Sequence, residues 1–75
     1  MGERKGFRMK YYILANRTNL DGYAEKYTVS VDNNATCDYD QILFFDTKEE
    51  AENWTKSAQA KEWKYCTFDI VEEQE

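Results

Sequence analysis

Ile42-Leu43-Phe44-Phe45-Asp46-Thr47-Lys48-Glu49-Glu50-Ala51-Glu52-Asn53-Trp54 is the stretch that decides the fold. Its four leading apolar residues, within 39–45, read as a short buried strand. The polar residues after them end that strand and start a helix. Asp46 with Glu49 matches a capping box, in which the Asp46 side chain accepts from an orphan helix amide and Glu49 reaches back. Thr47 with Glu50 offers the same box one residue later. Glu49, Glu50 and Glu52 then lie at the positive end of the helix dipole. Ala51, Trp54 and Ala58 recur at i, i+3 and i+7 and make one apolar stripe. The spacing predicts a helix over residues 47–59.

Outward from this element the period changes to two, the signature of strands. Upstream, Phe7, Met9, Tyr11, Ile13 and Ala15 alternate with Arg8, Lys10, Tyr12 and Leu14, which predicts a strand over 7–15. Residues 16–22 are turn-rich and end in Asp21-Gly22. Residues 23–31 place Tyr23, Glu25, Tyr27, Val29 and Val31 on one face of a second strand, and 32–38 form a polar loop. Downstream, residues 62–71 set Cys66, Phe68 and Ile70 on one face and Trp63, Tyr65, Thr67, Asp69 and Val71 on the other. Residues 1–6 are expected to be a disordered basic lead-in, and 72–75 a solvated acidic tail. Met9-Lys10-Tyr11-Tyr12-Ile13 looks like a natural start that begins directly with its first strand; native mass spectrometry that found residues 1–8 would contradict this.

The order β-β-β-α-β predicts an α+β fold in a single small domain spanning 1–75. Its sheet is three- to four-stranded and mainly antiparallel, with one helix packed on one face. The helical connection to the last strand requires a parallel neighbour or a crossover. The second face of the sheet stays partly open or meets a partner.

A chain of 75 residues makes one domain and buries only about 60% of its unfolded surface. Six Tyr, four Phe and two Trp help it build a core, because each buries roughly 150–250 Å². The net charge is −5, divided as +3 over residues 1–10 and −8 over residues 11–75. Such a body repels phosphate backbones, so direct nucleic-acid binding is disfavoured. It attracts basic protein surfaces, although keeping a small protein in solution is the plainer use of the charge. No apolar run approaches membrane-spanning length. No secretory h-region precedes Cys37 and Cys66, so the expectation is a cytoplasmic chain with reduced thiols, Cys66 facing the core and Cys37 exposed.

The chain has no His, which removes the commonest general base, the usual Ser-His and Cys-His pairs and most zinc sites. Two cysteines alone cannot complete a zinc site. Asp32-Asn33-Asn34 fails as a calcium loop, because Thr36 stands at the third ligand position, Cys37 replaces the turn Gly, and Leu43 takes the place of the closing Glu. Gly2, Gly6 and Gly22 form no phosphate loop. Catalytic, cofactor and metal residues are therefore all expected to be absent. Tyr and Trp on an open sheet can stack bases, but no basic-aromatic RNA-binding motif accompanies them. Core packing is their plainer use, and a protein interface is the other.

Phe44-Phe45-Asp46-Thr47-Lys48-Glu49-Glu50-Ala51-Glu52-Asn53-Trp54 resembles the strand-to-helix element of short phage-encoded α+β proteins. Many of these are similar to accessory or anti-defence inhibitors, anti-CRISPR proteins among them. The likeness covers about a seventh of the chain and transfers no functional residue. Together with the −8 body, the missing catalytic groups and the small size, it leads to the expectation of a non-enzymatic, acidic protein-binding module, a phage inhibitor that occupies a basic surface in the host cytoplasm. The residues expected to meet the partner are Asp38, Asp40, Asp46, Glu49, Glu50, Glu52, Trp63 and Tyr65. No direct nucleic-acid contact, membrane or cofactor is expected, and a homodimer is one arrangement. The alternatives are a small-ligand or nucleotide-binding module and a structural subunit of an oligomer.

Overall fold

The computed structural model describes residues 8–18 and 21–74, so the expected lead-in over 1–6 lies outside the described residues. The architecture is α+β: an antiparallel sheet of five strands with two helices. The strands are β1 (Met9–Thr18), β2 (Ala24–Val29), β3 (Ala35–Thr36), β4 (Phe44–Phe45) and β5 (Cys66–Gln74). The helices are α1 (Lys48–Trp54) and α2 (Ala58–Lys61), and a 3-10 turn spans Tyr39–Gln41.

β1 organises the sheet. Along one edge it pairs with β5 from Met9↔Gln74 to Arg17↔Cys66. Along the other it pairs first with β4, at Tyr11↔Phe45 and Tyr12↔Phe44, then with β2, from Leu14↔Thr28 to Thr18↔Ala24. Beyond Leu14, β2 leaves β1 and joins the β4 approach, through Leu43 N to Val29 O at 3.1 Å and a Ser30↔Ile42 bridge. β4 and β5 are both antiparallel to β1 on opposite sides, so they run parallel to each other. The helices between them form the expected crossover.

Alternation along β1 sends Ile13 and Ala15 into the core, where Val29, Ala51, Trp54 and Ala60 are also buried. Tyr11, Leu43, Phe45, Phe68 and Ile70 pack around them. Trp54 meets Phe68 edge-on, with ring centroids 5.3 Å apart. Cys66 packs against this core and Cys37 is exposed, as expected.

Several boundaries differ from the sequence expectation, each for a physical reason. Residues 16–18 continue β1 rather than turning, because β2 offers all three backbone partners, β5 adds partners for Asn16 and Arg17, and pairing outweighs weak strand propensity. The turn that follows uses Gly22 at φ 86°, a left-handed conformation that suits glycine. Residues 39–41 form a 3-10 turn rather than strand, because Asp38 Oδ1 accepts from Asp40 N at 3.0 Å and tightens the chain there. Of the two capping boxes open to the sequence, the one at Thr47 and Glu50 forms: Thr47 Oγ1 accepts from Glu50 N at 3.1 Å, and the Glu50 carboxylate accepts from Asp46 N at 3.2 Å.

The single helix expected over 47–59 is broken in two. Ser57 Oγ donates to Trp54 O at 2.6 Å and accepts from Ala60 N at 3.3 Å, so it caps α2 where a continuous helix would have passed through. Serine competes with the helix ladder in this way. The apolar stripe consequently continues through Ala60, and Ala58 is exposed. Residues 62–65 are irregular, so Trp63 and Tyr65 do not lie on a strand as expected. The expected tail over 72–75 is strand as far as Gln74. Its side chains alternate between exposed and half-buried, which keeps the carboxylates wet while the backbone pairs with Met9–Tyr11.

Candidate functional site

The register divides the side chains of β1 between two faces. Tyr11, Ile13 and Ala15 face the helices. Lys10, Tyr12, Leu14 and Asn16 face the other way, together with Phe44, Asp69, Val71 and Glu73. That second face carries an aromatic cluster at the Lys10 end. Tyr12 and Phe44 meet edge-on at 5.7 Å, and Tyr39 tilts against Phe44 at 5.4 Å. Lys10 Nζ stands 4.2 Å from the Phe44 centroid and 5.0 Å from that of Tyr39. The Tyr39 hydroxyl donates to Glu73 at 2.5 Å. These contacts fix Tyr39 while half of it (51%) stays exposed, with Asp38 and Asp40 on either side.

The six carboxylates picked out in the sequence are all exposed. Asp38 and Asp40 flank Tyr39 on the open face. Asp46, Glu49, Glu50 and Glu52 follow Phe45 onto the helical side. Residues 38–52 hold these six acids against Lys48 alone, a net −5. The β5 pairing adds Glu72 and Glu73 opposite Tyr11 and Lys10. On the helical side the Tyr11 hydroxyl donates to Glu72 at 3.4 Å. Burial raises the pKa of this phenol above its ordinary value, and the Glu72 charge and hydrogen bond add to the rise.

Trp63 and Tyr65, placed with the acids in the sequence expectation, lie elsewhere. Trp63 lines a cleft at the opposite end of β1 with Arg17, Tyr27 and Cys66. Lys10 and Arg17 are seven residues apart on one strand, roughly 23 Å at the usual rise. Sequence reasoning thus missed Tyr39, the aromatic that does sit among the acids. Its signal was the Asp38-Tyr39-Asp40 triplet next to a buried strand.

The cleft has a volume of about 400 Å³. Asn33 braces one wall: its Oδ1 accepts from Trp63 Nε1 at 2.8 Å, and its Nδ2 donates to Glu62 at 2.9 Å and to Gln59 O at 3.2 Å. The Tyr27 hydroxyl donates to Glu25. That bond raises the Tyr27 pKa above its ordinary value, with burial and the Glu25 charge adding to it and Arg17 opposing it. Among the described residues, Asn33 (φ 63°) and Tyr65 (φ 64°) are the two non-glycine residues with left-handed backbone. Asn33 lines the cleft, and Tyr65 lies between two residues that do, Lys64 and Cys66.

No group of three or more His, Cys, Asp or Glu side chains is placed to hold a metal ion among the described residues. No helix among them is long and apolar enough to cross a membrane. Comparison with family models, curated proteins and solved structures gives no match to this chain.

Proposed function

We propose that the protein is a non-enzymatic binding module whose acidic end docks on a basic surface of a protein partner, with Tyr39 as the apolar anchor. The observation that carries this reading is the exposure of six carboxylates within one 15-residue segment, two of them flanking a half-exposed tyrosine held in place by Phe44 and Glu73. Interfaces concentrate their binding energy in such held aromatics, while the surrounding charges steer the approach and select the partner. A row of carboxylates is also what a nucleic-acid-binding groove accepts in place of phosphates. The role that fits is an inhibitor of a host nucleic-acid-binding or defence protein, of the phage-encoded kind, acting in the cytoplasm.

The test is affinity capture from host lysate, followed by titration of the captured complex with salt. Affinity should fall steeply as salt rises, because exposed charges are screened over about 8–10 Å at physiological ionic strength. Asp38→Lys with Asp40→Lys should abolish capture, and Tyr39→Ala should speed dissociation. Binding that is indifferent to salt refutes the electrostatic mechanism.

A further inference from the structure

We propose that the protein pairs with a second copy of itself along the outer edge of β5, each copy adding its β5 to the other's sheet. This contact is separate from the acidic end, and its failure leaves the protein-docking reading untouched.

The edge is open. Among the described residues β5 pairs with β1 alone, and its register runs from Arg17↔Cys66 to Met9↔Gln74 without a bulge. β5 has nine residues and no proline or lysine, so it lacks the devices that ordinarily block a long edge strand.

The phase of the ladder fixes which groups are open. Ser30 N donates to Asn34 O at 2.8 Å on the β3 side, and Val29 O accepts from Leu43 N at 3.1 Å on the opposite side. Odd-numbered residues of β2 therefore face β1, so Tyr27 and Glu25 bond to Ala15 and Arg17. Leu14 and Asn16 turn the other way and bond to Asp69 and Thr67. Cys66, Phe68, Ile70, Glu72 and Gln74 are left with N–H and C=O directed outward.

One register suits a second copy. Full-length antiparallel pairing puts Ile70 opposite Ile70 of the copy, Phe68 opposite Glu72 and Cys66 opposite Gln74, all with outward backbone groups. On the open face it sets Thr67 opposite Glu73 and Asp69 opposite Val71, so no carboxylate directly faces another. The smallest slip that keeps the ladder in phase sets Asp69 against Asp69 in one direction and against Glu73 in the other. Like charges directly opposite are destabilising. Ile70, half-buried where it packs against the core, meets its own copy in the favoured register. The outer strand then left at each end is β3, two residues long, so assembly closes at two copies.

Each chain carries a net charge of −5, so the copies repel at long range and salt should tighten the dimer. Docking through the acidic end should respond to salt in the opposite sense. Sedimentation velocity on the full chain, from micromolar to millimolar concentration at low and high salt, reads the association. The 9.0 kDa chain should approach twice that mass, and at lower concentration in high salt. Amide hydrogen exchange locates the contact: Phe68, Ile70 and Glu72 should gain protection as concentration rises, whereas Asp69 and Val71 are protected throughout.

Thr67 is exposed, so a charge placed there leaves the core intact. Thr67→Lys should tighten the dimer roughly 2- to 30-fold, because its contact with Glu73 occurs twice across the symmetry axis. Thr67→Glu should weaken it, and Asn53→Lys, the same charge on an exposed helical position, should change it far less than Thr67→Lys. A chain that stays at 9.0 kDa at millimolar concentration overturns the inference. So does a dimer that salt loosens, one whose Ile70 amide exchanges as in the monomer, growth past two copies, or Thr67→Lys no tighter than Asn53→Lys.

Discussion

Trp54 is the residue on which the stability of this small domain is most exposed to test. Only 7% of it reaches solvent, its ring meets Phe68 edge-on at 5.3 Å, and its indole N–H donates to Gln59 at 3.2 Å. It also lies at the end of α1, where the Ser57 hydroxyl bonds its carbonyl. Truncation to alanine removes nearly all the buried ring and the aromatic pair, a loss of about 3–5 kcal/mol. A domain of 75 residues has a total stability of roughly 4–11 kcal/mol. Trp54→Ala should therefore lose at least about a quarter of that stability, and all of it where the total lies at the lower end of the range.

Trp54→Phe is the more discriminating variant. It keeps an apolar ring against Phe68 but gives up the bond to Gln59, about 0.5–1.5 kcal/mol, and part of the buried area, about 1 kcal/mol. At roughly 4–8 °C per kcal/mol in a domain of this size, Tm should fall by about 6–20 °C. Thermal melts followed by far-ultraviolet circular dichroism, with urea titrations in parallel, give both values. A Trp54→Phe melt within 2 °C of the parent, at an unchanged urea slope, would show that Trp54 does not hold the helices on the sheet (a threshold set well inside the smallest expected shift of about 6 °C).

Other consequences can be checked with single variants. Thr47→Ala should cost about 1 kcal/mol and Asp46→Ala clearly less, since the Thr47 hydroxyl caps α1; equal losses in urea titration would contradict that assignment. Tyr65→Gly should stabilise the fold by roughly 0.5–1 kcal/mol, because it relieves left-handed strain at an exposed side chain and gives back part of the gain as unfolded-state entropy. A lower Tm for Tyr65→Gly would mean that the ring packs in solution. The Tyr11 and Tyr27 phenols have pKa values above the ordinary 10.0 when folded. Their contribution to stability is complete below pH 10 and lost as pH rises through the folded values, so unfolding should become easier with rising alkalinity. Absorbance titration at the tyrosinate band should lose a late-titrating phenol in Tyr27→Phe, and loss of an early one would reverse the sign.

The sequence made the fold class legible because its periods are clean. Phe7 to Ala15 and Cys66 to Ile70 alternate so regularly that one residue of slip would turn the core face outward. What stayed hidden depended on partners far along the chain. Arg17 and Thr18 look like turn residues until β2 pairs with both and β5 with Arg17, and Glu72 to Gln74 look like a tail until Met9 to Tyr11 lie opposite. The break at Ser57 was hard to see for another reason. Serine reads as a mild helix residue, and only the bond from its hydroxyl to the Trp54 carbonyl makes it a cap. In the candidate site, the carboxylates could be found from composition alone. The aromatics could not, because the sequence does not show that Trp63 and Tyr65 close one end of β1 while Tyr39 stands at the other.

The pairing of β1 with β5 also governs when the molecule can exist. The strand that covers the other edge of Tyr11–Arg17 is β5, separated from the end of β1 by the 47 residues between Thr18 and Cys66. Until that strand emerges, β1 can recruit β2 and β4 on one side only. Its other side remains an open row of amides and carbonyls, the kind of template that foreign strands pair with. Helices and hairpin can form early, but the sheet closes in one late, long-range step, which slows folding and couples it to the synthesis of β5. A ribosome stalled before Cys66 would therefore hold a sticky hairpin rather than a partly working domain.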